Sequence, residues 1–232
     1  MDALDRLAGI GTDLLHRVDA VLIAGGAPAG DPLWPLLRLV GALPGDALEF
    51  GLKLTPEPLR DTAARLRADA GRFARRRDRL AADLRVEDWE GAGADAFGAR
   101  WQSLAGHLGD GGDPATVVGR LRATASYADA LADWSTGLRA ELAEAVVRVT
   151  GSAEAVTIRA AGTDGPPAPV ALAAAARIGA RVLRPVADAF GAARELEARW
   201  SPDLTELRYT ELHHQAPAGP TDAAGPITRV AL

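Results

Sequence analysis

Between Thr55 and Val86 the chain carries a seven-residue rhythm that few folds accommodate. Leu59, Leu66, Phe73 and Leu80 recur on one line, and Ala63, Ala70, Arg77 and Leu84 on the line beside it. A strand repeats every second residue, so this spacing is helical. Two adjoining heptad lines form a seam, and a seam must pack against another helix at a shallow angle. Thr55 is placed to cap the helix, with Pro56 in its first turn. A second long segment, 115–150, repeats the design. Val117, Thr124, Leu131, Leu138 and Ala145 form one of its lines, and Leu121, Ala128, Ser135, Leu142 and Val149 the other. Tyr127 and Trp134 add a bulky edge, and Asp113-Pro114 reads as the cap.

The stretch VEDWEGAGADAFGARW, Val86 to Trp101, interrupts the first seam. Phe97, Trp101, Leu104 and Leu108 then resume helical spacing, and GDGGDP stops it. The expected object is a long antiparallel helical hairpin that turns at Trp89-Glu90-Gly91. Gly91 and Gly93 supply backbone angles closed to other residues, and Trp89 is expected to fold over the end of the hairpin.

The flanks are plainer. Leu4, Leu7, Leu14, Val18 and Val21 predict a first amphipathic helix. Asp31 ahead of Pro32 predicts the start of a short helix over Leu33–Val40, and LPGDALEFGLKL a turn and another short apolar piece. GSAEAVTIRAAGTDGPPAP reads as a linker in which AVTIRA is a short strand or a helix end. A last helix, about Val170–Trp200, is expected to kink at Pro185. The predicted organisation is therefore an N-terminal helical extension (1–54), the hairpin domain (55–150), a linker (151–169), a C-terminal helix packing on the bundle (170–200) and a flexible tail rich in Pro, Gly and Ala (201–232). The fold class is all-α, with the hairpin completed to something like a four-helix bundle. ADAFGA occurs at Ala94–Ala99 and again at Ala187–Ala192, which in an alanine-rich chain reads as chance.

Composition narrows the function. The net charge of −5 disfavours nucleic acid and acidic membranes as partners. The chain has no cysteine, which excludes disulfides, thiol catalysis and zinc–thiolate sites. Asp2 and Asp5 stand where a signal peptide needs positive charge. The longest apolar stretch, Leu33–Pro44, is about half of the ~20 residues a membrane span needs, and Arg38 interrupts it. The chain reads as soluble, without a membrane span.

Trp89-Glu90-Gly91 between heptad helices, followed by Ala-Asp-Ala-Phe and Trp101, resembles the WxG helical-hairpin proteins of type VII (Esx-type) secretion in actinobacteria. It is similar also to the helical secretion-signal domains that precede large exported toxins, where a segment like YADAL (Tyr127–Leu131) follows the turn. The resemblance covers about Thr55–Val149. It implies a protein without enzymatic activity or cofactor, acting through Trp89, Gly91, Phe97 and Trp101. It implies a protein partner, namely a small WxG-type protein, the secretion machinery or a toxin, in a homo- or heterodimer. It further implies synthesis in the cytoplasm and export by the type VII route. The family's C-terminal signal, Tyr followed four residues on by Asp or Glu, is missing: Tyr127 meets Leu131 and Tyr209 meets His213. The alternative reading is a cytoplasmic helical interaction module, such as a chaperone or immunity-like protein for a toxin.

The candidate interaction surface is Tyr127, Trp134 and the arginines Arg72, Arg75, Arg76 and Arg79, which share the outward side of the first long helix. The usual meaning of such a row is a solvated face, and the alternative is a site for an acidic partner. Arg77 falls on the seam and is expected to pair with a carboxylate. His213-His214 beside Glu211 lack a third ligand, so no metal is expected. The glycine-rich stretches have no strand leading into them, so no nucleotide cradle is expected either.

Overall fold

The computed structural model describes residues 1–86, 90–161 and 166–205. These residues form eight helices and no strand: α1 (Ala3–Gly25), α2 (Leu33–Val40), α3 (Pro44–Lys53), α4 (Glu57–Val86), α5 (Ala92–Leu108), α6 (Val117–Thr150), α7 (Ala153–Ala160) and α8 (Pro169–Thr205).

Local chemistry fixes most of the ends. Asp2 and Asp5 each accept a backbone N–H from the other at 3.0 Å, a reciprocal cap on α1. Asp31 accepts from the Leu33 N–H at 2.9 Å, as its position before Pro32 predicts. The start of α6 differs from expectation. Thr116 takes the capping position and accepts from the Gly119 N–H at 3.2 Å, while Asp113 accepts from Ala115 at 2.8 Å and closes the turn before it. α8 continues through Pro185 and Pro202 to Thr205, beyond the predicted end at Trp200.

The weight of the molecule lies away from the α4 seam. The large core gathers Leu4, Leu14, Leu15 and Val18 of α1, Leu33 and Leu36 of α2, Ala47 and Leu48 of α3, Leu142, Val146 and Val149 of α6, Ile158 of α7, and Ile178, Val182, Leu183 and Val186 of α8. Residues 1–54 are therefore part of the main body rather than an extension of a hairpin. The stretch expected as a linker, 151–169, contains α7, whose Ala155 and Ile158 are buried in that core. AVTIRA is thus neither strand nor helix end: Ser152 caps a new helix by accepting from the Ala155 N–H at 3.2 Å. Glu154 ties it to α8 through Arg181 at 3.4 Å and Arg177 at 3.7 Å.

α6 joins two environments. Its C-terminal half is embedded in the main core. Its N-terminal half packs against α4 through a second cluster of small residues, Ala63 with Ala125 and Ala128, flanked by Leu66. The helix buries a row the heptad reading missed: Val118, Ala125, Ala132, Arg139 and Val146 are all buried.

Arg139 explains how the two ends of the N-terminal body are joined. It is 5% exposed and donates to Asp2 at 2.6 and 2.9 Å, to Asp5 at 2.6 Å, and to the carbonyls of Gly51 (2.8 Å), Leu52 (3.3 Å) and Leu54 (3.0 Å). One guanidinium thus satisfies the α1 cap and the last carbonyls of α3. Hydrogen bonding from Arg139 holds the Asp2 carboxyl at about 2. Asp5 is lowered as well, first by the Asp2 backbone N–H and then by Arg139.

Candidate functional site

The residues that sequence reasoning singles out converge on α4, α5, the N-terminal half of α6 and the end of α8. α4 shows two different sides. One side faces α6: Ala63 and Ala70 are buried, and Arg60 donates to Thr136 at 2.9 Å and to Asp133 at 3.4 Å. Two turns on, Arg67 is paired with Asp129. The contact is therefore a narrow row of small apolar residues with an arginine rim on α4 meeting an aspartate rim, Asp129 and Asp133, on α6. The other side of α4 is bare. Phe73 is 40% and Leu80 49% exposed, although both belong to the predicted seam. Arg72, Arg75, Arg76 and Arg79 are all exposed, as expected. Arg72 is paired with Asp69.

Arg77 pairs with Asp78, its Nε donating at 2.9 Å and its Nη2 at 2.6 Å, and also donates to the Gly109 carbonyl at the end of α5. The expected carboxylate partner is its sequence neighbour. The carbonyl of Gly109 is a partner the sequence did not suggest. It fastens the seam position of α4 to the C-terminal end of α5.

The turn itself is described in part. Trp89 lies outside the described residues, with 87 and 88. Gly91 has φ +95° and precedes the first turn of α5, so its expected conformational role is met. Gly93 falls inside α5 and takes no left-handed angle. Phe97 is 45% exposed, Trp101 is half-buried, and α5 as a whole buries none of its residues. The Phe97, Trp101, Leu104 and Leu108 line therefore exists but is not covered as a seam would be.

Tyr127 and Trp134 part company. Tyr127 is half-buried and meets Trp200 with ring centroids 6.0 Å apart, a contact between the middle of α6 and the end of α8. Trp134 is a correction. It packs against the main core, and its indole N–H donates to the Ala189 carbonyl at 2.9 Å. An indole satisfied by a carbonyl of α8 serves the α6–α8 contact rather than a partner.

Two further places hold buried polar groups or an apolar crevice. Asp19 of α1 is 9% exposed. One carboxylate oxygen accepts from the Gly45 N–H at the start of α3 at 3.0 Å, and the other is buried without a hydrogen-bond partner. Its carboxyl is pushed up to about 6, chiefly by burial, which the Gly45 bond opposes, with smaller contributions upward from Asp46 and downward from His16. This couples α1 to α3. A crevice of about 780 Å³ lies among α1, α7 and the start of α8, lined by Val21, Ile158, Pro167 and Val170. Its polar side chains are engaged: Arg17 pairs with Asp13 at 3.5 Å and Thr157 donates to the Ala153 carbonyl at 3.1 Å.

Among the described residues no three or more His, Asp or Glu converge to hold a metal ion, and no helix is long and apolar enough to cross a membrane. His213, His214 and Glu211 lie outside the described residues. No family model matches the chain, no curated protein is significantly similar to it, and no solved structure matches it.

Proposed function

We propose that this chain is a non-enzymatic helical protein of type VII secretion, either a substrate or the targeting partner of one, and that it acts through protein–protein contacts. The observation that carries the reading is the pair α4–α5. Two amphipathic helices are joined across a glycine at φ +95°, and much of their apolar line stands in solvent. A 17-residue helix that buries none of its residues gains little from packing, and short helices are marginal in water on propensity alone. Such a helix is suited to completion by another protein. The WxG tripeptide at Trp89–Gly91 and the YADAL segment on α6 add the resemblance to exported hairpins.

The test is export. The protein is tagged in its native host and assayed in culture filtrate and cytosol, beside Trp89→Ala and Gly91→Ala forms with unchanged melting temperatures. Wild type in the filtrate with both variants retained inside supports the reading. Retention of all three while type VII secretion is active in the same culture overturns it and leaves the cytoplasmic interaction module.

A further inference from the structure

We propose that α4 and α5 form an arm that opens from the rest of the molecule as one unit, turning on residues 54–56 and 109–110, while α1–α3 and α6–α8 stay folded.

The topology allows it. Among the described residues α4 and α5 touch each other and α6, and no other helix. Neither contributes a residue to the large core. Of the described side chains of α4 only Ala63 and Ala70 are buried, and α5 buries none. Ala63 meets Ala125 and Ala128 of α6. Alanines let two helices lie close together but take little apolar area out of water, so the contact is long and its hold is weak. Its edges are closed by charge, Arg60 against Asp133 and Arg67 against Asp129. Side-chain exposures of 35–77% leave both pairs open to screening by solvent ions.

What stays behind is held independently. The C-terminal half of α6 lies in the main core through Leu142, Val146 and Val149. Its N-terminal half is held by α8: the Trp134 indole donates to the Ala189 carbonyl at 2.9 Å, and Tyr127 meets Trp200 at 6.0 Å. α6 therefore keeps these partners when α4 leaves. The arm has its own tie, the bond from Arg77 to the Gly109 carbonyl at the end of α5. One residue further on, Arg122 of α6 donates to the Asp110 carbonyl at 3.0 Å. Arm and body thus part between Gly109 and Asp110, and Gly109, at φ +70°, gives that joint backbone freedom. The other joint is the short extended link that follows Lys53, where Leu54 has φ −69° and ψ 122°. Opening uncovers Ala63 and Ala70 on α4 and Ala125 and Ala128 on α6. The opening is a property of the fold and holds whether or not the protein is exported.

Native-state hydrogen exchange of the full chain tests this, read on peptic peptides by mass spectrometry at a series of urea concentrations below the global transition. The expected result is that α4 and α5 exchange through one opening, with a shared urea dependence weaker than that of α1, α6 and α8. In an Asp129→Asn/Asp133→Asn variant, which removes the carboxylate rim, α4 and α5 should exchange about threefold or more faster at low salt, with α1 and α8 unchanged. High salt should bring wild type toward the variant. Protection of α4 as strong as that of α1 and α8 overturns the proposal, because α4 then opens only with the whole molecule. So does exchange of α5 well ahead of α4, which is fraying of one helix. Loss of protection along the first half of α6 together with α4 also overturns it, since the moving unit is then larger than the arm. Exchange of α4 that neither the variant nor salt changes does the same, because the charged rim then does not hold the arm.

Discussion

Replacing Asp19 with Asn is expected to change how stability depends on pH. The Asp19 carboxyl sits at about 6 in the fold, against an ordinary value of 3.8. The folded state thus holds this proton more tightly than the unfolded chain. Its stability contribution is greatest below about pH 4 and declines as pH rises through 6. Well above both values the loss levels off at about 3 kcal/mol, from a difference of about two pH units at ~1.4 kcal/mol each. Between pH 4 and pH 8 the change is smaller, about 2 kcal/mol, because the unfolded chain is already more than half ionised at pH 4. Asparagine does not titrate, and its amide oxygen can still accept from the Gly45 N–H. Its NH₂ would occupy the place of the unpartnered oxygen, at a cost of about 1–3 kcal/mol. That cost is the same at every pH and cancels in the comparison. Urea unfolding of both proteins at pH 4, 5, 6, 7 and 8 should therefore show the variant gaining on wild type by about 2 kcal/mol from the lowest pH to the highest. The same pair in a His16→Gln background removes the neighbouring imidazole from the slope. Parallel curves for wild type and variant would refute the reasoning, whatever their offset.

Other consequences can be checked on the same material. Arg139→Met leaves the Asp2 and Asp5 carboxylates and three carbonyls without their donor, and should cost about 3–5 kcal/mol in urea unfolding, with Arg139→Lys intermediate. The Asp2 carboxyl, held at about 2, contributes stability above pH ~4 that is lost as pH falls toward 2, so Arg139→Met should also flatten that acid limb. Trp134→Phe removes the bond to the Ala189 carbonyl and should cost about 1–3 kcal/mol, whereas a residue serving only a partner would leave the melt unchanged. Gly119→Ala would drive its methyl into the Asp113 backbone carbonyl, which cannot swing aside, and is expected to lower the melting temperature by more than Gly137→Ala, which meets nothing.

What the sequence made legible was local. The α4 and α6 heptads stand out because leucine, valine and aromatic residues mark their rows at fixed spacing, and the Asp31 turn ahead of α2 and the positive φ of Gly91 follow from residue type. The best-buried row of α6 did not stand out, because it reads Val, Ala, Ala, Arg, Val from Val118 to Val146, with an arginine where a core residue would be sought. Arg139 looks like a solvated charge until Asp2, some 137 residues away, and the end of α3 are brought to it. The two copies of ADAFGA make the same point. Ala187 and Ala189 are buried and Phe190 packs on the core, while in the first copy Phe97 is 45% exposed and α5 buries no residue. Six identical residues cannot themselves encode opposite environments. The difference comes from what lies alongside: α8 is closed in by α1, α2, α3, α6 and α7, whereas among the described residues α5 touches only α4 and α6.

The same contrast explains why the candidate surface was visible in outline and misjudged in detail. A heptad seam states that a helix will be covered, but not by which chain. For α4 the inner row is answered within the molecule by Ala125, Ala128, Asp129 and Asp133, and the outer row is not answered by any described residue. The sequence assigned that role to α5, the next helix along. In the structure α5 is tethered near its C-terminal end by the bond from Arg77 to Gly109, and it leaves Phe73 and Leu80 in solvent. Covering what remains exposed of those two side chains is worth about half of the roughly 1.5–3 kcal/mol that full burial gives each, which is still noticeable beside the roughly 5–15 kcal/mol that holds a domain together.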